Sequence, residues 1–144
     1  MRLPIRLLDR DLPIPAYAHR GDAGLDLFAA ASCRIAPGER ALIPTGVAVA
    51  IPEGFAGFVQ PRSGRALSDG LTFANSPGLI DSHYRGEVKV IAVNLDRHSP
   101  IQIARGDKIA QLVIQRVERV ELELVDDLGS TARGEGGFGS TDER

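Results

Sequence analysis

The chain has 144 residues, 43% of them hydrophobic and 25% charged, with a formal net charge of −2. That length suits one domain whose core needs no disulfide or metal, and the slightly acidic balance excludes the broad cationic surface of a general nucleic-acid binder. Cys33 is the only cysteine, which excludes an intrachain disulfide, and no HExxH or similar spacing groups His19, His83 and His98 as ligands of a transition metal. With neither a secretory leader nor a long apolar run, a soluble cytoplasmic protein is expected, with no membrane and no nucleic-acid partner.

Sixteen Gly and nine Pro break the chain into short apolar runs, and none keeps a helical period for long. The pattern predicts an all-β fold. In chain order the strands are expected at Ile5–Leu8, Leu25–Ala29, Ala41–Ile43, Val47–Ile51, Phe55–Gln60, Val88–Asn94, Ile109–Gln115 and Val120–Val125. Pro37-Gly38 and Pro52-Glu53-Gly54 supply turns, and one short helix is expected over Ser63–Asp69. The run from Val88 to Leu95 is apolar on nearly both faces, which suits a strand between two sheets or one facing a subunit partner. These elements predict a single-domain β-sandwich of jelly-roll style, with edges and apolar faces that assembly would cover. Residues 1–128 form its core. Residues 129–144, with five glycines, read as a flexible C-terminal arm of the same domain.

The densest chemistry lies in Asn75-Ser-Pro-Gly-Leu-Ile-Asp81-Ser-His-Tyr84-Arg-Gly-Glu87. Pro77-Gly78 favours a tight reversal, so a hairpin is expected there, its backbone lining a cleft with Asp81 and Tyr84 at the mouth. Asp81 also fits an ordinary turn residue. Pro61-Arg62-Ser63-Gly64 follows an apolar strand and offers an Arg, a hydroxyl and backbone N–H groups to an anion, although Ser63 equally fits a helix cap. Gly106-Asp107 is a turn signal, with Gln111 beyond it on the surface or facing a ligand. Arg133 through Thr141 is Gly-rich, yet it carries an Arg for phosphate oxygens and Phe138 for stacking on a base, as a lid would. Asp26, in Ala23-Gly-Leu-Asp-Leu27, fits a polar residue in a strand.

In order and spacing, these five segments resemble the motifs of the trimeric dUTP pyrophosphatases, the dUTPases, over about Ile5 to Thr141. Two positions depart from the family pattern: Leu79 stands where many members have Thr, and His83 where Asp or Gly is common. The resemblance implies Mg²⁺-dependent hydrolysis of dUTP to dUMP and pyrophosphate, with water attacking the α-phosphorus, which limits uracil incorporation into DNA and supplies dUMP for thymidylate synthesis. It implies Asp81 as the carboxylate that orients and deprotonates the water, and a homotrimer with shared sites. Arg62, Ser63, Gly64, Gln111 and Arg133 would hold phosphates. Asn75, Leu79, Ile80 and Lys89 would line the nucleotide site, and Tyr84 would pack on the deoxyribose. Phe138, Gly139 and Ser140 would close over the base. Asp26 would support the water network of a Mg²⁺ held through phosphates and waters and by no direct protein ligand. Alternative readings are a dCTP deaminase, possibly bifunctional, or a nucleotide-sensing module without turnover.

Overall fold

The computed structural model describes residues 1–137. It begins with β1 (Ile5–Leu7), β2 (Leu25–Phe28), β3 (Cys33–Ile35), β4 (Arg40–Val49) and β5 (Phe55–Pro61). The helix α1 (Ser63–Asp69) follows, and then β6 (Leu71–Phe73), β7 (Gly78–Ile80), β8 (Glu87–Asn94), β9 (Ile101–Ile103) and β10 (Lys108–Arg116). Two four-stranded sheets, in the orders β1-β4-β8-β6 and β2-β10-β5-β7, and a two-stranded pair, β3-β9, make up the fold. All the pairings are antiparallel.

Alternation along the strands places the core. In β8, Val88, Val90, Ala92 and Asn94 point inward while Lys89 and Ile91 face out, so this strand is covered on one face only and does not run between two sheets. Its inward residues join Ile43 and Val49 of β4, and these meet Leu27, Val59, Ile109 and Leu112 of the other sheet and Ile35, Ile101 and Ile103 of the small pair. Each such side chain contributes about 1.5–3 kcal/mol on full burial, so the sandwich stands on this shared interior. Asn94, fully buried, donates from Nδ2 to the carbonyls of Ile35 and Ser99 at 3.0 and 2.9 Å and ties the small pair to β8.

Several expectations need correction. The strands expected at Ala41–Ile43 and Val47–Ile51 are one element, β4, with a register shift between Pro44 and Ala48 where Gly46 takes a φ of 72°. A glycine that adopts left-handed backbone inside a strand marks a bulge and not an end. Pro77-Gly78 does not close a hairpin, because β6 pairs with β8 while β7 pairs with β5, and the turn therefore carries the chain from one sheet to the other. Gly106-Asp107 also forms a turn, with Asp107 N donating to Ala104 O at 3.0 Å, yet β9 and β10 belong to different sheets. Val120–Val125 forms no strand. There Val120, Leu122 and Leu124 are 75%, 85% and 98% exposed, since no edge of this chain pairs with them and a strand without a partner has no place for its N–H and C=O groups. The strands β3, β6, β7 and β9, three residues each, escape the sequence reading; a run that short carries no period, and β1, equally short, was legible only as an apolar run. Among the described residues no helix is long and apolar enough to cross a membrane.

Candidate active site

Asp26 lies on β2 with only 2% of its surface exposed. Its neighbours come from the ends of two other strands. Arg62, just past β5, donates from Nη1 to Oδ1, and Gln111 Nε2 on β10 donates to the same oxygen at 3.2 Å. Lys108 Nζ stands 2.9 Å from Oδ2 as an ion pair, and no directed hydrogen bond reaches that oxygen. Burial alone would raise the carboxyl's pKa, but Lys108, Arg62 and Gln111 together outweigh it and hold Asp26 below the usual carboxylate range. Gly24 leaves room for this arrangement, since a Cβ there would lie 2.9 Å from Gln111 Cβ. The carboxylate is the floor of the cluster. The side chains of Arg62 and Lys108 are 29% and 46% exposed, so their remaining donors face outward, where an anion meets them.

Ser63 opens α1 one residue inside the helix; the N-cap position falls on Arg62, and no side-chain cap bond forms. The cap reading of Ser63 is thereby excluded. Arg65 ties α1 to the β9–β10 turn, pairing with Asp69 within the helix and standing 3.5 Å from Asp107.

A second group of side chains lies elsewhere. Asn75, Leu79, Ile80, Asp81, Tyr84 and Lys89, joined by Leu42, Glu87 and Ile91, line a pocket of about 330 Å³. It is of a size for a small ligand. Leu79 and Ile80 are carried by β7, Lys89 and Ile91 by β8, and Asp81 and Tyr84 by the loop between, where Tyr84 N donates to Asp81 O at 3.1 Å. Asp81 is exposed. Tyr84 OH donates to the main-chain carbonyl of Glu87 at 2.9 Å, and its ring lies over Gly86, where a Cβ would come within 2.6 Å of Tyr84 Cζ. Arg85 turns away and donates from Nη1 to Ser82 O and Tyr84 O, which stiffens the loop. An apolar body, an aromatic wall, an exposed carboxylate and an ammonium suit a flat polar ring attached to a charged group.

A sequence model of the dUTPase family matches residues 10–142. The chain belongs to the dUTPase family. It is 58% identical over 144 residues to the deoxyuridine 5'-triphosphate nucleotidohydrolase of Mycobacterium sp. (strain JLS), covering 96% of this chain and 94% of that protein. Among solved structures, a mutant of the Staphylococcus bacteriophage 80alpha dUTPase with dUpNHpp superposes with a TM-score of 0.88 at 31% identity, over 97% of this chain and 98% of that one. A mutant dUTPase from phage phi11 of S. aureus, described with a structural Mg(II) ion, gives a TM-score of 0.81 at 31% identity, over 89% and 99%.

The fold of this dUTPase-family chain gathers the sequence-predicted residues into two groups and leaves others apart. Asp26, Arg62 and Gln111 meet in one cluster, with Ser63 and Gly64 beginning the helix beside it. Asn75, Leu79, Ile80, Asp81, Tyr84 and Lys89 meet in the pocket. No hydrogen bond or ion pair among the described residues joins the two. Arg133 belongs to neither: its Nε donates to Gly136 O at 2.8 Å within its own exposed turn. Phe138, Gly139 and Ser140 lie outside the described residues. Two participants escaped the sequence reading. Lys108 sits within the Gly106–Gln111 segment without an assigned role, and Glu87 ends the longest segment; a Lys so near a phosphate-type motif was a usable signal, whereas Glu87 was not readable because its partners lie in β4.

Among the described residues no group of three or more His, Cys, Asp or Glu side chains forms a metal site by itself. The Asp26 cluster presents an amide and two cations around one carboxylate. That donor set fits phosphate oxygens, with any divalent cation arriving alongside them.

Proposed function

We propose that the chain hydrolyses dUTP to dUMP and pyrophosphate, with Asp81 activating the attacking water. The observation that carries this reading is the pocket in which an exposed carboxylate, Asp81, stands beside an aromatic wall, Tyr84, in a chain of the dUTPase family. Asp81 accepts a proton from water as its oxygen bonds to the α-phosphorus, and the bond to the bridging oxygen of pyrophosphate breaks. A carboxylate is a weak base, so placement of the water contributes as much as proton affinity. Arg62, Ser63, Gly64, Lys108 and Gln111 bind phosphate oxygens, with Asp26 orienting the cations beneath them. A Mg²⁺ ion would be held through the substrate's phosphates and waters beside Asp26, and would supply neutralisation of phosphate charge. Asn75 and the main chain at Leu79 and Ile80 match the N3–H donor and O4 acceptor of uracil. Cytosine reverses that pair and leaves buried polar groups unmatched at about 1–3 kcal/mol each.

Register supports a site shared between copies. Asp26 faces Gln111, which faces Gln60 on β5, whereas Ile80 faces Gly57. Three residues of strand rise and three interstrand spacings separate Asp26 from Ile80, about 17 Å at the usual sheet dimensions. A general base must lie within about 3 Å of the water it activates, and phosphate donors within similar reach of the same bound triphosphate, so a span of that size within one chain favours a site built from two copies. A homotrimer that sets the Asp26 cluster of one copy against the Asp81 pocket of the next resolves this, with residues 129–144 as an arm that closes over the nucleotide through Arg133, Phe138, Gly139 and Ser140. The cytoplasm, where nucleotide pools are kept, is the compartment this activity serves.

Pyrophosphate release from dUTP with Mg²⁺, run beside dCTP, dTTP and UTP, tests the reading. Selective turnover of dUTP that is lost in Asp81→Asn is expected. Deamination of dCTP, or tight dUTP binding without pyrophosphate release, would overturn it.

A further inference from the structure

One wall of the pocket hangs on a single carboxylate. The β4–β8 ladder is interrupted between Pro44 and Ala48, and such an interruption deprives N–H groups of their sheet acceptors. Gly46, buried within that gap, donates its N–H to Glu87 Oε1 at 2.9 Å. Beside it the Thr45 hydroxyl donates to Val88 O at 2.6 Å, also buried. Glu87 Oε2 stands 3.6 Å from Lys89 Nζ. The main-chain carbonyl of the same Glu87 accepts the Tyr84 hydroxyl at 2.9 Å, and Gly86 supplies the flat floor beneath the ring.

Glu87 therefore connects two structures that the sequence keeps apart. Its side chain replaces a missing ladder bond and pins the first residue of β8 to β4, and its carbonyl fixes the tip of Tyr84. The link to Gly46 is charge-assisted and partly shielded from solvent. Once the carboxylate is gone, the Gly46 N–H loses its acceptor, and the first residues of β8 keep only the Ala48–Glu87 pairing and the Thr45–Val88 bond as ties to this part of β4. The carbonyl that holds the Tyr84 hydroxyl is then less firmly fixed.

We infer that Glu87 is a positioning residue that sets sugar selectivity, its carboxylate bridging to the bulge of β4 and thereby holding Tyr84 where it excludes a ribose 2′-hydroxyl. The inference rests on the reading of this pocket as the dUTP site with Tyr84 against the deoxyribose. Glu87→Ala removes the acceptor. Glu87→Asp keeps the charge but is one methylene too short to reach Gly46, whereas Glu87→Gln keeps a carbonyl oxygen at the right length and loses the charge facing Lys89.

The test measures kcat/KM for dUTP and for UTP in these three variants of the full chain, together with fluorine NMR of fluorotyrosine-labelled protein. Tyr17 is the only other tyrosine, so Tyr17→Phe isolates the Tyr84 signal. Glu87→Ala and Glu87→Asp are expected to lower the dUTP:UTP ratio about tenfold, the scale of one lost positioning contact, and to move the Tyr84 resonance toward that of a solvated ring. Glu87→Gln is expected to keep both the ratio and the resonance. An unchanged ratio and resonance in Glu87→Asp would overturn the inference, as would a loss in Glu87→Gln equal to that in Glu87→Asp, which would assign the effect to the charge on Lys89. If Glu87→Ala does not fold, the Asp and Gln variants decide. Should the unmutated enzyme fail to hydrolyse dUTP or to reject UTP while the resonance still responds as described, the functional reading fails and the strut stands.

Discussion

The Asp26 cluster and the Asp81 pocket are built on opposite terms. Asp26 is buried, and two cations, Arg62 and Lys108, compensate its charge while the Gln111 amide hydrogen-bonds to it. Asp81 is exposed on a loop, and the contact that fixes its surroundings is a backbone bond to Tyr84 N. A carboxylate that must hold cations in place is supported by rigid strands and gives up its contact with water. One that must take a proton from water keeps that contact and gives up rigidity. On the proposed reading, the same acid does structural work on one side of the fold and chemistry on the other, and the surroundings decide which.

Substitutions at the two carboxylates should separate these roles. Asp81→Asn is expected to reduce turnover by about 10²–10⁴, the usual worth of a general base, while nucleotide affinity measured by calorimetry and the melting temperature stay near their starting values. A melting temperature that collapsed would place Asp81 with the structural group instead.

Tyr84→Ala comes next in size. It opens the sugar wall, so kcat/KM for UTP should rise toward that for dUTP, with the preference falling about tenfold to a hundredfold as a steric exclusion of about 1–3 kcal/mol is lost. Steady-state kinetics with both nucleotides measure it.

Asp26→Asn should act on stability as well as on phosphate affinity. Removing the charge leaves Arg62 and Lys108 facing one another without a counter-ion, at about 1–3 kcal/mol, below the figure for a fully buried pair because both cations reach solvent. The pH dependence has a definite sign. The folded-state pKa of Asp26 is depressed, so its contribution is fully present above the ordinary carboxylate value and is lost as pH falls through the folded value. Urea unfolding from neutral pH down through that acid range should therefore show a steeper decline in the unmutated protein than in Asp26→Asn; parallel declines would contradict the ion-pair account.

Gly86→Ala is the mildest. The added methyl would press on the Tyr84 ring, which must tilt, and a rise of about two- to fivefold in KM for dUTP with little change in kcat is expected, in keeping with overpacking at an exposed site.

Legibility from sequence divides along a similar line. The extent of β8 and that of α1 were readable, because local composition and turn residues set them, whereas the one-sided burial of β8 was not, since Ile91 and Val93 are apolar on its outer face. β4 was misread as two strands because Gly46 looks like a stop when its bulge is unseen. The strand expected over Val120–Val125 has the right residues and lacks a partner edge within one chain. Within the site, the motif residues were legible as two sets that the fold brings together, but the ion pairs around Asp26 and the Glu87–Gly46 bond join residues far apart in sequence, and the hairpin expected at Pro77-Gly78 turned out to pass between sheets. Residue types reveal chemistry locally. Long-range register decides which of them meet.

The central claim is that these two unlike halves work together only across copies of the chain. Subunit mixing tests it most directly. Asp81→Asn and Arg62→Ala are each made, confirmed inactive on dUTP, then unfolded together in equal amounts and refolded. If the Asp26 cluster of one copy serves the Asp81 pocket of another, random assembly restores intact sites in about a quarter of positions and activity returns to about that fraction of the unmutated enzyme. If the mixture is as inactive as its components while assembling normally, both halves must act within one chain, and the shared-site account is wrong.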